Sequence, residues 1–324
     1  MASLFTSLAS TFTGTKANPL VEISSEVPPT QSTSPNQDTT STQPTSPIVP
    51  VSVNCFPHRQ CNYSCSFCFH TSLSSTILPF SEMKHGLRLL RQAGMKKINI
   101  SGGEPFLFPH LGDLIQFCKT ELKLESTGII SNGSKVTLKW LEEYGEYLDI
   151  LGISCDSFDD DTNRGIGRKD EGNLKGVHKN KLNTVVNKWN WEEDMNDCIE
   201  EIAPFRWKVF QVLLLEGENV GPNALRNAVD VSVTNEQFQA FLDRHASQKS
   251  LVPEDNEAME SSYLLLDEEM RFVNCQGGKK IPGRSLLERG VQAALQDAGW
   301  EADTFVARGG VYDWQKPDEN NLDW

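Results

Sequence analysis

The sequence predicts an α/β protein, a partial (βα)6 barrel of parallel strands with an α+β extension at its C-terminal end. Short β-prone runs alternate with helical segments from residue 51 to residue 215, and this alternation is typical of a parallel sheet covered by crossover helices. Polar or cysteine-containing loops follow the first four runs. Because binding groups gather at the carboxyl ends of parallel strands, these loops predict a site at one end of the sheet.

Three regions of the chain differ in composition. Residues 1–50 are rich in Ser, Thr, Pro and Gln, and such a segment cannot bury enough apolar surface to offset its chain entropy, so we expect a disordered leader. Residues 51–215 contain the repeat and form the predicted barrel. Residues 216–324 break the repeat and are expected to close the substrate site. They contain two predicted helices and a strand pair, at 234–247, 285–299 and 262–274.

The elements of the repeat follow from hydrophobic periodicity. Six strands are predicted, at 51–54, 96–101, 126–131, 149–154, 181–187 and 207–215. Helices are predicted between them, at 80–95, 110–122, 136–148 and 191–202. Ser81 is the expected N-cap of the first helix, since a serine hydroxyl there can accept a bond from a free backbone N–H.

Composition excludes several classes of function. The 324 residues carry 44 Asp and Glu against 30 Lys and Arg, for a formal net charge of −14, which argues against a nonspecific binder of nucleic acid or membrane surface. We find no apolar run long enough to span a membrane. Eight cysteines in a chain of this size, three of them within one loop, indicate a reducing compartment and predict a cytoplasmic protein.

The three clustered cysteines are the strongest chemical signal. Cys61, Cys65 and Cys68 have C-x3-C-x2-C spacing in "RQCNYSCSFCFH". Structural zinc sites take four ligands, usually from two cysteine pairs, and here only His70 could supply a fourth. Iron–sulfur clusters are held by thiolates, normally four, so three cysteines would leave one iron open to chelate another molecule. Simple packing of buried cysteines is the third alternative.

The loop and the strand ends that follow it resemble the radical S-adenosylmethionine (SAM) superfamily. That resemblance implies a [4Fe-4S] cluster on the three cysteines, SAM bound to the open iron, and a 5′-deoxyadenosyl radical formed by reduction of SAM. Gly102 and Gly103 in "SGGEP" allow close approach of backbone to a ligand, and Glu104 can accept hydrogen bonds from the SAM ammonium. The resemblance further implies SAM contacts for three residues, Phe67, Asn132 and Ser154.

Longer stretches resemble one family within that superfamily, the viperin family of antiviral nucleotide dehydratases. They include "LRQAGMKKINISGGEPFL", "YGEYLDILGISCDSFD" and "SYLLLDEEMRFVNC", and together span nearly all of 51–324. The implied activity is conversion of CTP, or alternatively UTP, to its 3′-deoxy-3′,4′-didehydro form by hydrogen abstraction at C4′ and loss of water. The resemblance also implies an electron donor, and a cytosolic iron–sulfur assembly factor that binds the C-terminal Trp324.

A triphosphate requires several cations directed at one point. Lys181 and Asn183, and likewise Arg206 and Lys208, are two residues apart and therefore share a strand face. On an inner strand, that face would need an anion. The family resemblance assigns phosphate binding to Lys97, Lys181, Lys208, Lys280 and Arg308, with Asn54 and Asn183 as polar neighbours and Tyr263 near the base.

Two departures from the family stand out. Residues 1–50 lack the basic amphipathic pattern of a membrane anchor, so attachment to membranes or lipid droplets is not expected. The crossover at 169–180 is short and rich in glycine, as in a fungal or microbial variant, and near the minimum for joining parallel strands. It would leave the barrel open if a structural element were missing. The alternatives are a radical SAM enzyme acting on a peptide or another small molecule, and an inactive interaction protein that keeps the cluster.

Overall fold

The structure, a computed structural model, describes residues 47–168, 181–307 and 309–310. Within these residues the strands are β1 (Ser52–Cys55), β2 (Lys97–Ile100), β3 (Ser126–Ser131), β4 (Ile150–Ser154), β5 (Lys181–Val186), β6 (Arg206–Gln211), β7 (Leu251–Glu254), β8 (Leu264–Leu266), β9 (Arg271–Asn274) and β10 (Ile281–Ser285). The helices are α1 (Phe80–Gln92), α2 (Leu111–Thr120), α3 (Leu138–Tyr144), α4 (Asp160–Ile166), α5 (Asn196–Ile202), α6 (Asn235–Arg244), α7 (Asn256–Ser262), α8 (Leu286–Arg289), α9 (Val291–Gln296) and α10 (Ala302–Ala307).

All these strands form one sheet in the order β10-β9-β8-β1-β2-β3-β4-β5-β6-β7. Strands β1 to β6 lie in chain order as parallel neighbours, which confirms the predicted (βα)6 repeat. The extension continues the sheet at both ends. Strand β7 pairs parallel with β6, and β8 pairs parallel with β1 and antiparallel with β9, which pairs antiparallel with β10.

The main core lies between the sheet and the helices that cover it. Val53 of β1 is the register partner of Ile98 of β2, and both side chains are fully buried with Leu87 of α1 and Leu114 of α2. Burial of each such side chain contributes roughly 1.5–3 kcal/mol. The helices therefore fix the outer face of the sheet, and the carboxyl ends of the strands remain available for a site.

Several local details differ from the sequence-based expectations. Helix α1 begins at Phe80 with Pro79 as its N-cap, so the predicted capping role of Ser81 is wrong. The predicted helix at 285–299 is divided into α8 and α9 at Gly290, whose φ of 76° no regular helix accepts. Helix α4 and strands β7 and β10 were not predicted, because their short sequences show no clear periodicity.

The shortened crossover at 169–180 lies outside the described residues. On its two sides, β4 and β5 pair in parallel, with Gly152 opposite Lys181 and Ser154 opposite Asn183. The sheet is therefore continuous at the position where an opening was considered. No helix among the described residues is both long and apolar enough to cross a bilayer.

Candidate active site

A cavity of about 280 Å³ lies at the carboxyl ends of the central strands. All nine residues that the sequence analysis associated with the cluster and SAM line this one cavity. They are Cys61, Cys65, Phe67, Cys68, Gly102, Gly103, Glu104, Asn132 and Ser154. They come from three loops and from the last residue of β4, and the shared end of the parallel sheet brings them together.

The cysteine loop is held in place by backbone contacts to the end of α4. Ser64 N donates to the carbonyl of Gly167 at 3.1 Å, and Ser66 N donates to the carbonyl of Ile166 at 2.9 Å. Cys68 N donates to the carbonyl of Cys65 at 3.1 Å, which closes a turn between two of the cysteines. These three backbone hydrogen bonds therefore fix the conformation of the cysteine loop.

The donor set fits an iron–sulfur cluster better than a mononuclear metal. Within the residues that the structure describes, no three His, Cys, Asp or Glu side chains are grouped to hold one metal ion. In a cubane cluster each thiolate binds a different iron, so the cysteines need to surround a volume and need not converge on a point. His70 is buried and its Nδ1 lies 2.8 Å from Lys280 Nζ, which counts against it as a zinc ligand.

Burial raises the pKa of the Cys65 thiol to about 12, and the Arg168 guanidinium opposes this shift. A thiol in such a position becomes a thiolate when a metal replaces its proton. All eight cysteines are free thiols. The three in the cavity therefore provide suitable ligands for a metal cluster.

The two glycines after β2 serve the packing of the loop. A Cβ on Gly103 would lie 1.9 Å from the carbonyl oxygen of Gln60, and one on Gly102, where φ is 104°, would lie 2.9 Å from that of His58. Gly103 N donates to His58 O at 3.0 Å, and Glu104 N donates to Gln60 O at 2.8 Å. The glycines thus bring the "SGGEP" loop against the cysteine loop, a reason that the sequence alone did not indicate.

Glu104 is buried at the base of the cavity and oriented by three donors. Ser131 Oγ donates to its Oε1 at 2.7 Å, Asn132 N to its Oε2 at 2.8 Å and Phe106 N to its Oε1 at 3.2 Å. Burial raises the pKa of Glu104, and these hydrogen bonds oppose the rise. The carboxylate is therefore fixed as an acceptor facing the cavity.

Arg168 is a cavity residue that the sequence analysis missed. Its guanidinium is buried and forms an ion pair with the carboxylate of Asp156, which also accepts from Val185 N at 2.8 Å. Arg168 lines the same cavity as the cysteines and Glu104. Its place after Gly167 in "GIGR" gave no signal of a site, because only the fold brings the end of α4 beside the cysteine loop.

A second, smaller cavity of about 40 Å³ adjoins the first, and four cations line it; we call it the cationic cavity. Three predicted phosphate-binding residues, Lys97, Lys181 and Lys208, line it together with Arg206, Asn54 and Tyr263. The two cavities share three lining residues, Asn54, Lys181 and Tyr263. Since β2 and β5 are separated by two strands, the sheet must curve to bring Lys97 and Lys181 together.

The cations in this cavity are buried close to one another. Burial lowers the pKa of Lys181 well below its usual value, and the charges of Lys208 and Lys97 lower it further. Lys208 Nζ donates to Tyr263 OH at 2.7 Å and forms an ion pair with the buried Glu254. Gly152 is the register partner of Lys181. A Cβ added to this glycine would lie 3.7 Å from Cδ of Lys181, so the lysine side chain passes close to the glycine.

Three predicted substrate residues have other positions. Asn183 lines the larger cavity. Lys280 lines neither cavity, and its Nζ instead contacts Glu218 Oε1 at 2.7 Å and the carbonyl of Phe69 at 2.9 Å. Arg308 lies outside the described residues.

Comparison with known proteins agrees with this geometry. Residues 56–181 match the model of the radical SAM superfamily. The chain is 50% identical over 291 residues to the S-adenosylmethionine-dependent nucleotide dehydratase RSAD2 of Oncorhynchus mykiss, an alignment that covers 85% of this chain and 83% of the relative. The chain belongs to the family of S-adenosylmethionine-dependent nucleotide dehydratases.

Members of this family from microorganisms are also similar. The S-adenosylmethionine-dependent nucleotide dehydratase of Flammeovirga pacifica is 35% identical over 294 residues, covering 83% of this chain and 97% of the relative. Among solved structures, Streptococcus suis SuiB bound to S-adenosylmethionine has a TM-score of 0.59 at 16% identity, covering 80% of this chain and 68% of SuiB. That likeness shows the radical SAM fold. The family implies SAM and an iron–sulfur cluster as cofactors.

Proposed function

We propose that the protein is a radical SAM dehydratase that converts a pyrimidine nucleoside triphosphate, CTP with UTP as the alternative, to its 3′-deoxy-3′,4′-didehydro form. One observation carries the proposal. The cavity that contains the three cysteines adjoins the cationic cavity and shares Asn54, Lys181 and Tyr263 with it. A SAM molecule in the first and a triphosphate in the second would therefore place the two reacting groups beside each other.

The larger cavity has complementary charges for the amino-acid end of SAM. Cys61, Cys65 and Cys68 would hold a [4Fe-4S] cluster, which when bound supplies the electron that splits SAM. Glu104 is an oriented acceptor for the SAM ammonium, and Arg168 is a buried cation for its carboxylate. Phe67, on the same wall, offers an apolar surface for the adenine.

The smaller cavity is suited to a polyanion. Lys181 is only 8% exposed, and its pKa is lowered by burial and by the charges of Lys208 and Lys97, so a bound anion would stabilise its charged form. A triphosphate supplies about four negative charges and would also restore the pKa of Lys181 toward its usual value. Tyr263, at the boundary of the two cavities, would then contact the nucleoside.

In the proposed reaction the nucleotide would lose the hydrogen atom of C4′ to a 5′-deoxyadenosyl radical supplied by SAM, which would leave as 5′-deoxyadenosine. The 3′-hydroxyl leaves with a proton as water, and one electron from a donor completes the C3′–C4′ double bond. Water would have to be excluded from the radical, and apolar side chains, among them Phe67, Phe210 and Leu213, line the larger cavity.

The test is 5′-deoxyadenosine release by anaerobically reconstituted protein, measured with CTP, UTP, ATP or no nucleotide. We expect release to be stimulated by CTP or UTP, together with a product lighter than the substrate by one water. The variant C65A is the matched control, because it removes one ligand and should abolish both. Reconstituted protein without a broad absorption near about 400 nm, where thiolate-to-iron charge transfer falls, would refute the proposal, as would release that no nucleotide changes.

Four related expectations stay proposals. Residues 216–324 would close the substrate site, which is supported by Tyr263, Phe305 and Gly309 on the wall of the cationic cavity. Trp324, proposed to bind an iron–sulfur assembly factor, lies outside the described residues. The electron donor and the cytoplasmic location remain predictions from the sequence.

A further inference from the structure

A group of four charged side chains lies buried beside the cysteine loop and lines neither of the two cavities. We call it the loop clamp, and it consists of Arg59, Glu218, Glu268 and Lys280. Their side chains are 9%, 5%, 2% and 3% exposed, respectively. Arg59 precedes the first cysteine by two residues, whereas the other three come from the region after β6.

Glu218 is the centre of the clamp. Its Oε1 accepts from Arg59 Nη1 at 2.7 Å and from Lys280 Nζ at 2.7 Å. Its Oε2 accepts from both the backbone N and the Oγ1 of Thr71 at 2.9 Å. One carboxylate therefore joins the residue that enters the cysteine loop to a residue that leaves it.

The other members complete the attachment. Arg59 Nε donates to Glu268 Oε1, which also accepts from Ser74 Oγ at 2.8 Å. Lys280 Nζ donates to the carbonyl of Phe69, the residue after Cys68, at 2.9 Å. The segment after the third cysteine is thus bonded to the clamp at three successive places.

The clamp is also balanced in charge. Two cations and two carboxylates cancel, and His70 adds no charge in this geometry. Its Nδ1 lies 2.8 Å from Lys280 Nζ, and because an ammonium group only donates, Nδ1 must accept and the imidazole is neutral. Because Lys280 Nζ is bonded to the carbonyl of the residue that follows Cys68, a charge of the clamp lies close to the third cysteine.

We propose that the loop clamp is a positioning device that holds the cysteine loop and, through its charge balance, sets the electrostatic potential at the cluster. The inference rests on the proposed function, since it requires a cluster at Cys61, Cys65 and Cys68. Reduction adds an electron to the cluster, so a net positive change nearby favours the reduced form and a net negative change disfavours it. Removal of a carboxylate from the clamp should therefore raise the reduction potential, and removal of a cation should lower it.

The experiment is an EPR-monitored redox titration of reconstituted protein, without nucleotide, for wild type, E218Q, K280M and the E218Q/K280M double variant. Glutamine and methionine keep the approximate size of the side chains and remove the charge. We expect E218Q to shift the reduction potential upward and K280M to shift it downward. The double variant, in which the balance is restored, should return toward wild type.

A purely structural role would not produce shifts of opposite sign. The matched control is D149N, which removes a carboxylate from the ion pair of Lys119 and Asp149 at the opposite end of the sheet and should leave the potential unchanged. Iron loss to a chelator gives a second readout, which E218Q should accelerate several-fold and D149N should not. If E218Q does not fold, K280M is compared with R59M. Both variants remove a cation, so the proposal requires a lower reduction potential in each.

Single variants that bind the wild-type amount of iron and show equal potentials, or shifts of the same sign for E218Q and K280M, would overturn the inference. A wild-type protein that binds no cluster would instead refute the proposed function. The two failures are therefore distinguishable by the iron content of the wild type.

Discussion

Replacement of Gly103 by alanine tests the packing of the cysteine loop most directly. The new Cβ would meet three backbone atoms, Gln60 O at 1.9 Å, Gln60 C at 2.6 Å and Arg59 C at 2.8 Å. Backbone atoms cannot rotate away as a side chain does. Because ordinary contact begins near 3.4 Å, Gln60 O and the Cβ must separate by about 1.5 Å more. The residue that moves is adjacent to Cys61, so the change reaches the first of the three proposed cluster ligands.

The magnitude follows from the contacts that must break. Overpacking costs about 1–3 kcal/mol. The hydrogen bonds from Gly103 N to His58 O and from Glu104 N to Gln60 O contribute about 0.5–1.5 kcal/mol each. We therefore expect the G103A variant to lose about 2–6 kcal/mol of unfolding free energy in the apoprotein, and most of its capacity for the cluster.

The assay combines urea unfolding of the apoprotein with iron content and 5′-deoxyadenosine release after reconstitution. The control is G290A, at a glycine with φ of 76° and ψ of 165° and open space around its Cβ. That backbone region costs a non-glycine residue about 1–3 kcal/mol, so G290A should be destabilised yet should bind iron normally. A G103A protein with wild-type iron content and wild-type release would refute the reasoning.

Four further outcomes are expected. The K181M variant should raise the KM for the nucleotide about 10–100-fold, since a charged hydrogen bond contributes about 1.5–3 kcal/mol, and should leave nucleotide-independent SAM cleavage unchanged; an unaltered KM would contradict the phosphate role. In the wild type, the protonated form of Lys181 binds the anion and its pKa in the free protein is lowered, so nucleotide affinity should fall as pH rises through that pKa, by up to about tenfold per pH unit, and K181M should lose this dependence in calorimetric titrations. The R168M variant should weaken SAM binding about 10–100-fold in equilibrium dialysis, and R168K should partly restore it. Wild-type SAM affinity in both variants would exclude the proposed carboxylate contact. The W207A variant should lose about 3–5 kcal/mol of unfolding free energy, because Trp207 is fully buried and its Nε1 donates to Thr184 Oγ1 at 2.8 Å; a loss below 1 kcal/mol would contradict the packing described.

The sequence predicted the features that depend on local pattern. Alternating β-prone and helical segments give the order of β1 to β6, because each crossover returns the chain to the neighbouring position in the sheet. Three cysteines within eight residues indicate a cluster site for a similar reason, because all three candidate ligands lie in one loop. The "SGGEP" turn after the next strand supports the same interpretation. Asn132 and Ser154, at the ends of two predicted strands, line the same cavity as the cysteines.

Details that require two distant segments were decided by the tertiary structure. Lys280 appeared as a phosphate ligand, yet its Nζ lies against Glu218, 62 residues away along the chain, and lines neither cavity. Arg168 has no recognisable motif, yet the end of α4 brings it beside the cysteines. Strand β7 shows no alternation because it lies at the sheet edge and contains Pro253, which edge strands tolerate.

The sequence by itself therefore predicted the fold class and the family, and it singled out the three cysteines proposed as cluster ligands. Only the tertiary structure decided which charges meet, as in the contact of Arg59 with Glu268 across 209 residues. The physical reason is that side-chain contacts depend on the summed geometry of every strand and crossover between them. The hydrophobic periodicity of a segment predicts one helix or strand at a time, and it does not predict how those elements are arranged relative to one another.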